Sequence, residues 1–227
     1  MNKMMLVAAA CAMVVAPSMI LGDDVTSVNT VGYYSVTIPA GGLALITPVL
    51  EGMDGGTLED LIGDQMQPGN AAIYFWDRIE KGYKIANYDS FGQWSSAATN
   101  VVMRGDGVWL QNDHSESVTL TFMGEVPGEY NDADVTTVDN LSGLDAVGYA
   151  YPVDVEWLET ELASALPSDS AIYYWNVAEQ SYSSGLKDQF GEWSSAVQDL
   201  VIKAGSAFWI ETPEPVDPWV ESVPYDL

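Results

Sequence analysis

An internal repeat limits what this chain can fold into more than any other feature of its sequence. Residues 72–97 align with residues 171–196 without a gap, and 13 of the 26 aligned positions are identical. Chance does not give such identity within one chain, and self-similarity at a fixed spacing is typical of a duplicated structural unit. The repeat therefore predicts two tandem units of about 100 residues each.

The repeated segments have the composition of β-strands. Residues 73–76 and 172–175 are short runs of aromatic and β-branched side chains, which strands favour. Residues 118–122 alternate apolar and polar side chains, as a half-buried strand does. Gly, Pro, Asn and Asp separate these runs and indicate turns between strands.

One short helix is expected in each unit. In the first unit it covers residues 57–62, with Thr57 as the N-cap and Asp60 placed to complete a weak capping box. In the second unit, residues 155–165 carry apolar side chains at helical spacing. The sequence therefore predicts a mainly all-β fold of two tandem duplicated domains, each a β-sandwich or partly open barrel with one short helix.

The first residues have the layout of a secretory signal peptide. Lys3 precedes an apolar stretch over residues 4–16, Pro17 breaks that stretch, and acidic side chains begin at Asp23. The stretch is shorter than the roughly 18–20 residues that a membrane-spanning helix needs. We therefore expect a secreted or outer-surface protein with no transmembrane span after signal removal. An uncleaved anchor and lipidation at Cys11 are the alternatives. If the signal is removed whole, Cys11 leaves with it and no disulfide is expected.

Composition shifts predict the domain boundaries. The signal peptide covers residues 1–22, and the first β module covers residues 23–127. The second module covers residues 128–212, because a polar and acidic stretch follows Pro127. Residues 213–227 are expected to form a Pro-rich acidic C-terminal tail.

Charge excludes several classes of partner. The chain has 33 acidic and 7 basic side chains, which gives a net charge of −26. Such a surface repels phosphate, so nucleic acid is not expected as a partner, and anionic lipid is disfavoured for the same reason. Acidity suits solubility, and carboxylates can also bind divalent cations.

Three segments of the second unit carry a family resemblance. They are residues 143–154 (GLDAVGYAYPVD), 172–176 (IYYWN) and 202–210 (IKAGSAFWI). They resemble a β module, with the pattern GNPYP, YYWD and PGQGFFV, of large secreted and surface proteins of Bacteroidetes, planctomycete and verrucomicrobia type. The resemblance implies an extracellular or cell-surface module with no assigned chemistry. Ala150 departs from the pattern, which has asparagine or proline there.

The sequence offers no catalytic constellation. His114 is the single histidine, and the chain has neither a G-x-S-x-G motif nor a mature cysteine to serve a triad. Zinc sites use several His or Cys ligands. Carboxylate pairs of a glycosidase type cannot be singled out among 33 acids. We therefore expect no enzymatic activity and no cofactor.

Calcium is the one metal that the sequence brings into question. Asp132 and Asp134 alternate along the chain as calcium ligands do, but the glycine and glutamate of an EF-hand loop are missing. They are weak calcium candidates, and a solvated acidic loop is the alternative.

The aromatic residues divide into two groups. Trp219 and Tyr225 lie in the Pro-rich tail, where we expect either a docking strand for a neighbouring subunit or a tail folded back on the second domain. The other group is expected in the repeated cores, because a fold must repeat its core, with a sugar-stacking platform as the alternative. That group consists of Trp76, Trp94, Trp109, Trp175, Trp193 and Trp209.

These observations favour a non-enzymatic structural or assembly protein of the bacterial surface or matrix, such as a surface-layer or filament subunit. Self-association, or association with other surface proteins, is the expected partnership. An extracellular carbohydrate- or ligand-binding module is the alternative, supported by the aromatic content.

Overall fold

The computed structural model describes residues 30–52, 56–128 and 135–225. The protein is mainly β, with 45% of residues in strands and 11% in helices. The all-β class expected from the sequence is confirmed. The predicted signal peptide at residues 1–22 lies outside the described residues.

The first half of the chain contains the following elements. They are β1 (Val31–Ile38), β2 (Gly42–Ile46), β3 (Gly56–Thr57), α1 (Leu58–Ile62), β4 (Ala71–Asp77), β5 (Gly82–Tyr88), β6 (Val101–Val102), β7 (Val108–Asn112) and β8 (Val118–Glu125). A short 3₁₀ helix covers Ser96–Thr99.

The second half repeats this order. Its elements are β9 (Val135–Val138), β10 (Gly143–Gly148), β11 (Val155–Glu156), α2 (Glu161–Ala165), β12 (Ala171–Asn176), β13 (Ser181–Leu186), β14 (Val201–Ile202), β15 (Ala207–Thr212) and β16 (Trp219–Ser222). Two 3₁₀ helices cover Trp157–Glu159 and Ser195–Val197.

Each half is built on one four-stranded antiparallel sheet. The strand orders are β2-β7-β4-β5 and β10-β15-β12-β13, so strands of the same rank hold the same place in both sheets. A two-stranded ribbon accompanies each sheet, β1 with β8 in the first half and β9 with β16 in the second. The segment expected to be a tail therefore supplies β16, which takes the place that β8 has in the first half.

Side-chain alternation gives each sheet two apolar faces. On one face, Ile46, Ile73 and Leu110 are at most 1% exposed and pack under the β1–β8 ribbon and α1. The corresponding face of the second sheet buries Ile172 and Ile210 under its own ribbon and α2. The other faces of the two sheets pack against each other.

The two helix predictions have different outcomes. Helix α1 starts after Thr57, whose hydroxyl accepts from the Asp60 N–H at 3.1 Å while the Asp60 carboxylate accepts from the Thr57 N–H at 3.0 Å. The capping box is therefore confirmed. The single helix expected over residues 155–165 is wrong. Glu156 and Thr160 are extended, with ψ of 134° and 144°, and they divide the segment into a strand, a 3₁₀ turn and α2.

Candidate functional site

The two sheets meet in a buried layer that we call the inter-sheet core. Its buried members are Leu45, Trp109, Ala146, Ala207 and Trp209. The backbones also approach closely beside it. Thr47 N–H donates to Gly205 O at 3.0 Å, and Gly148 N–H donates to Gly105 O at 3.1 Å. A β-carbon on Gly148 would lie 2.3 Å from the Thr47 methyl group, so this contact requires glycine.

Two aromatic triads dominate the inter-sheet core. Trp76 and Tyr83 are paired across β4 and β5, and both contact Trp209 of the other sheet, at centroid distances of 5.1 and 6.2 Å. Trp175 and Tyr182 contact Trp109 in the same way, at 5.2 and 6.4 Å. The contacts are edge-to-face, the geometry that aromatic quadrupoles favour. Each half therefore holds a tryptophan of the other half.

Two hairpin residues reinforce the same contact. Lys81 and Gln180 hold equivalent places in the repeat, and both have a positive φ, 51° and 50°. The Lys81 ammonium lies 2.7 Å from the fully buried carboxylate of Asp145 and donates to Ser142 O. The Gln180 amide bonds both backbone groups of Leu43, at 2.7 and 2.8 Å. Sequence reasoning missed these contacts, because the repeat is not conserved at Lys81 and Gln180.

A groove that we call the tyrosine groove runs along the edge of the inter-sheet core. It has a volume of about 380 Å³ and is lined by Leu43, Tyr74, Tyr83, Ile85, Trp109, Gln111 and Tyr182. Tyr83, Ile85 and Tyr182 are each nearly half exposed, so the groove opens to solvent. Burial raises the pKa of the Tyr83 and Tyr182 hydroxyls, which stay protonated at neutral pH. The Tyr74 hydroxyl bonds the Gln111 side chain.

A second groove of about 310 Å³ is the counterpart on the other sheet. It is lined by Trp76, Tyr83, Leu144, Tyr173, Tyr182 and Trp209. On that sheet Glu211, which does not line the groove, holds the place that Gln111 has on the first sheet and accepts a hydrogen bond from the Tyr173 hydroxyl at 2.8 Å. Because Tyr83 and Tyr182 line both grooves, the two are contiguous.

The second candidate surface is one edge of strand β1. Val126 N–H donates to Thr30 O, and hydrogen-bonded pairs alternate along an antiparallel ladder. The backbone groups of Tyr33, Ser35 and Thr37 therefore point away from β8. Among the described residues, β1 pairs with β8 alone. We call this side of Val31–Ile38 the open edge of β1.

The far edge of β8 is occupied. Thr121 N–H donates to the side chain of Gln65 at 2.7 Å. Glu125 exchanges two backbone hydrogen bonds with Glu51, at 2.7 and 3.1 Å. Within the described residues, the β1–β8 ribbon is therefore closed on one side by its own half and unpaired on the other.

The β1–β8 ribbon contains a single charged side chain, Glu125 at the end of β8, in a chain that carries a net charge of −26. Residues 25–50 and 117–124 contain no charged side chain. The outer face pairs Ser35 with Thr121 and Thr37 with Thr119 through hydroxyl contacts of 3.1 and 2.9 Å. Tyr33 beside them is 78% exposed. Natural edge strands are normally protected by charges, proline or bulges, and β1 has neither charge nor proline.

The structure distributes the six repeat tryptophans over three places. Trp109 and Trp209 are buried in the inter-sheet core, with Trp76 and Trp175 packed against it. Trp193 is buried in the core of the second half, whereas Trp94 is only partly buried against the first core. Four of the six therefore lie between the halves instead of within one half.

The two tail residues expected at a subunit interface pack against the second half of the same chain. Trp219 is 2% exposed, and the centroid of its ring lies 6.5 Å from that of Phe208. Tyr225 is half-buried and contacts the fully buried Tyr151 at 6.2 Å. The docking-strand expectation for this segment is thus replaced by its alternative, a segment folded back on the second half. The reason is that β16 pairs with β9.

The remaining residues that the sequence analysis considered are Asp132, Asp134 and His114. Asp132 and Asp134 lie outside the described residues. Within the described ranges, no group of three or more His, Cys, Asp or Glu side chains could hold a metal ion. His114 lies in the β7–β8 loop, where its Nδ1 accepts from the Glu116 N–H at 3.2 Å.

One buried carboxyl predicts a pH dependence. Glu221 is 5% exposed, and burial raises its pKa above the ordinary 4.5, although the Glu161 N–H donates to it at 2.8 Å. The folded chain therefore binds this proton more tightly than the unfolded chain. The stabilising contribution of that proton is complete below pH 4.5 and is lost as the pH rises through the folded pKa.

Replacing Glu221 by glutamine should remove this dependence. We expect E221Q to melt at a higher temperature than the wild type at neutral pH, with the difference shrinking towards zero near pH 4. Thermal unfolding followed by circular dichroism across that range measures it. Equal shifts at both pH values would show that Glu221 is not protonated preferentially in the folded state.

Comparison with protein-family models, with curated proteins and with solved structures gives no match to this chain. Across the residues that the structure describes, no helix has the length and apolar character needed to cross a membrane.

Proposed function

We propose that this chain is an exported, non-enzymatic structural protein of the bacterial surface or extracellular matrix, whose copies associate through the open edge of β1. The observation that carries the proposal is the absence of charge over residues 25–50 of a chain with net charge −26. Two such chains repel each other across most approaches. Contact through an uncharged strand avoids that repulsion and satisfies backbone groups that have no strand partner among the described residues.

A second copy is the occupant that fits this edge best. In a two-fold symmetric contact the same strand serves both copies, and antiparallel β1 strands can pair with each other. Pairing centred on Ser35 places Ser35 opposite its counterpart and Tyr33 opposite Thr37. The outward-pointing backbone groups of Tyr33, Ser35 and Thr37 then match, because the paired positions have the same parity. The result is a continuous sheet in the order β8-β1-β1-β8.

Growth beyond a dimer needs a second contact, and two exposed phenylalanines supply a candidate. Phe91 and Phe190 occupy the same place in the repeat and are 88% and 80% exposed. Each loop is fixed by an aspartate, Asp89 or Asp188, whose carboxylate accepts two backbone N–H bonds of 2.8 and 2.9 Å. A repeated, rigidly presented apolar side chain suits a contact between dimers.

A matched pair of substitutions tests the edge. Ser35→Glu and Thr121→Glu remove the same hydroxyl pair, and both side chains lie on the same exposed face. Only Ser35 would face its own counterpart, where like charges oppose pairing. Light scattering of residues 23–227 across protein concentration should show self-association for the wild type and T121E, and a monomer for S35E.

The same light-scattering experiment is repeated at different salt concentrations and with calcium. Screening weakens repulsion between acidic chains, so association should strengthen as ionic strength rises. Calcium with and without chelator tests whether carboxylates bridge the copies as well. A wild-type chain that stays monomeric at high concentration in every condition would contradict the proposal.

A ligand-binding module remains the second candidate function. The tyrosine groove favours it, because aromatic rings and hydrogen-bonding groups meet there in an open, uncharged lining. This function is compatible with assembly, since the groove and β1 share no residue.

A further inference from the structure

The tyrosine groove combines two kinds of surface. Trp109, Tyr83 and Tyr182 present aromatic rings, held in place by the edge-to-face contacts of the triads. Beside them stand neutral hydrogen-bonding groups, the Tyr74 hydroxyl and the Gln111 amide, which already bond each other. Both kinds of group are fixed before any ligand arrives, which lowers the entropic cost of binding.

Charge narrows the class of ligand. Among the described residues that line the tyrosine groove, none is charged. An anionic ligand would be repelled by the net charge of −26 and would find no cation in the groove. A cationic ligand would find no carboxylate among the described lining residues, and the Asp113 carboxylate next to them already accepts a hydrogen bond from the Gln111 side chain at 2.7 Å. The ligand that fits is therefore neutral.

The shape and polarity of the tyrosine groove further limit the class of neutral ligand. Small apolar ligands favour pockets that enclose most of their surface, whereas this groove is open along Tyr83, Ile85 and Tyr182. A pyranose ring presents C–H groups on its faces, which suit the negative faces of aromatic rings, and hydroxyls around its rim. The contiguous second groove extends the surface beyond one sugar ring.

From this chemistry we infer that the tyrosine groove binds a neutral oligosaccharide, with Trp109 as its floor and Tyr182 and Tyr83 as stacking rings. The oligosaccharide would continue across Tyr182 and Tyr83 towards Trp209. The site uses residues from both sheets, so it exists only while the inter-sheet core is intact. It is independent of the open edge of β1.

Tryptophan fluorescence provides the test. Residues 23–227 are titrated with glucose and with cellohexaose, xylohexaose, mannohexaose and maltohexaose. We expect at least one hexasaccharide to shift the emission saturably and to bind much more tightly than glucose. The inference is overturned if no hexasaccharide changes the emission.

Variants locate the site. Tyr182→Ala should weaken binding about tenfold or more, whereas Phe190→Ala removes an aromatic ring of the same half outside the groove and should leave affinity unchanged. If Tyr182→Ala fails to fold by circular dichroism, Tyr182→Phe replaces it and should cost a few-fold by losing only the hydroxyl. Equal affinity in the wild type and the folded Tyr182 variant overturns the inference. Ser35→Glu should bind as the wild type does.

Discussion

Replacing Trp209 by alanine is expected to destabilise the protein by about 3–5 kcal/mol, the usual cost of deleting a buried tryptophan. Trp209 is 5% exposed, and its ring contacts Trp76 and Tyr83 of the other half. The loss therefore falls on the contact between the halves. Urea unfolding followed by fluorescence and by circular dichroism should show a lower midpoint and transitions that no longer coincide.

The control for this change is Phe190→Ala. That side chain is 80% exposed, and a surface truncation should change the free energy of unfolding by no more than about 0.5 kcal/mol. If Trp209→Ala costs no more than the control, the inter-sheet core does not hold the two halves together.

Replacing Lys81 by methionine is expected to cost about 3 kcal/mol, the lower end of the range for removing one partner of a buried ion pair. Asp145 has no exposed side-chain surface, whereas Lys81 is 37% exposed, so water compensates part of the loss. The carboxylate also keeps the Trp76 and Ser142 N–H donors, at 3.2 and 2.8 Å. Urea unfolding at neutral pH measures the change.

The first half of the repeat suggests a second substitution that should compensate for Lys81→Met. Ala44 holds in β2 the place that Asp145 holds in β10, opposite Leu110 and Ile210 respectively. The double variant Lys81→Met with Asp145→Ala removes the buried charge and should recover part of the lost stability, because the Trp76 and Ser142 N–H groups lose their acceptor. Gln180→Met is the neutral comparison and should cost about 1 kcal/mol. A double variant as unstable as Lys81→Met would show that the carboxylate is not the cause.

Local patterns in the sequence correctly predicted a helix start and several strands. Thr57 and Asp60 stand three residues apart before an apolar pair, and they form the capping box at α1. Alternating runs such as residues 118–122 became strands, because the period of two determines which side chains share a face. Such inferences need only the residues themselves.

Tertiary contacts were harder to predict. Alternation indicates that Trp76 and Trp109 share a face, but not that the other sheet covers it. Trp219 lies in a strand of only four residues beside prolines, which resembles a tail in sequence, and only its pairing with β9 shows otherwise. Identity between the copies also misleads at Phe91 and Phe190, which are repeated and yet exposed.

Of the two candidate surfaces, only the open edge of β1 has a recognisable signal in the sequence. The uncharged run over residues 25–50 could have indicated the open edge of β1, since charge is frequent elsewhere in the chain. The tyrosine groove could not be found this way, because it forms only where two sheets bring Tyr83 and Tyr182 together.

Cross-linking at Ser35 tests the proposed assembly most directly. Antiparallel pairing centred on Ser35 places the two Cα atoms about 5.5 Å apart, within the range that a disulfide spans. Residues 23–227 contain no cysteine, so Ser35→Cys introduces a single thiol, and Thr121→Cys on the neighbouring strand is its control. Under mild oxidation, we expect a reducible covalent dimer for Ser35→Cys and little dimer for Thr121→Cys. Equal yields from both variants, or no dimer from Ser35→Cys, would contradict association through β1.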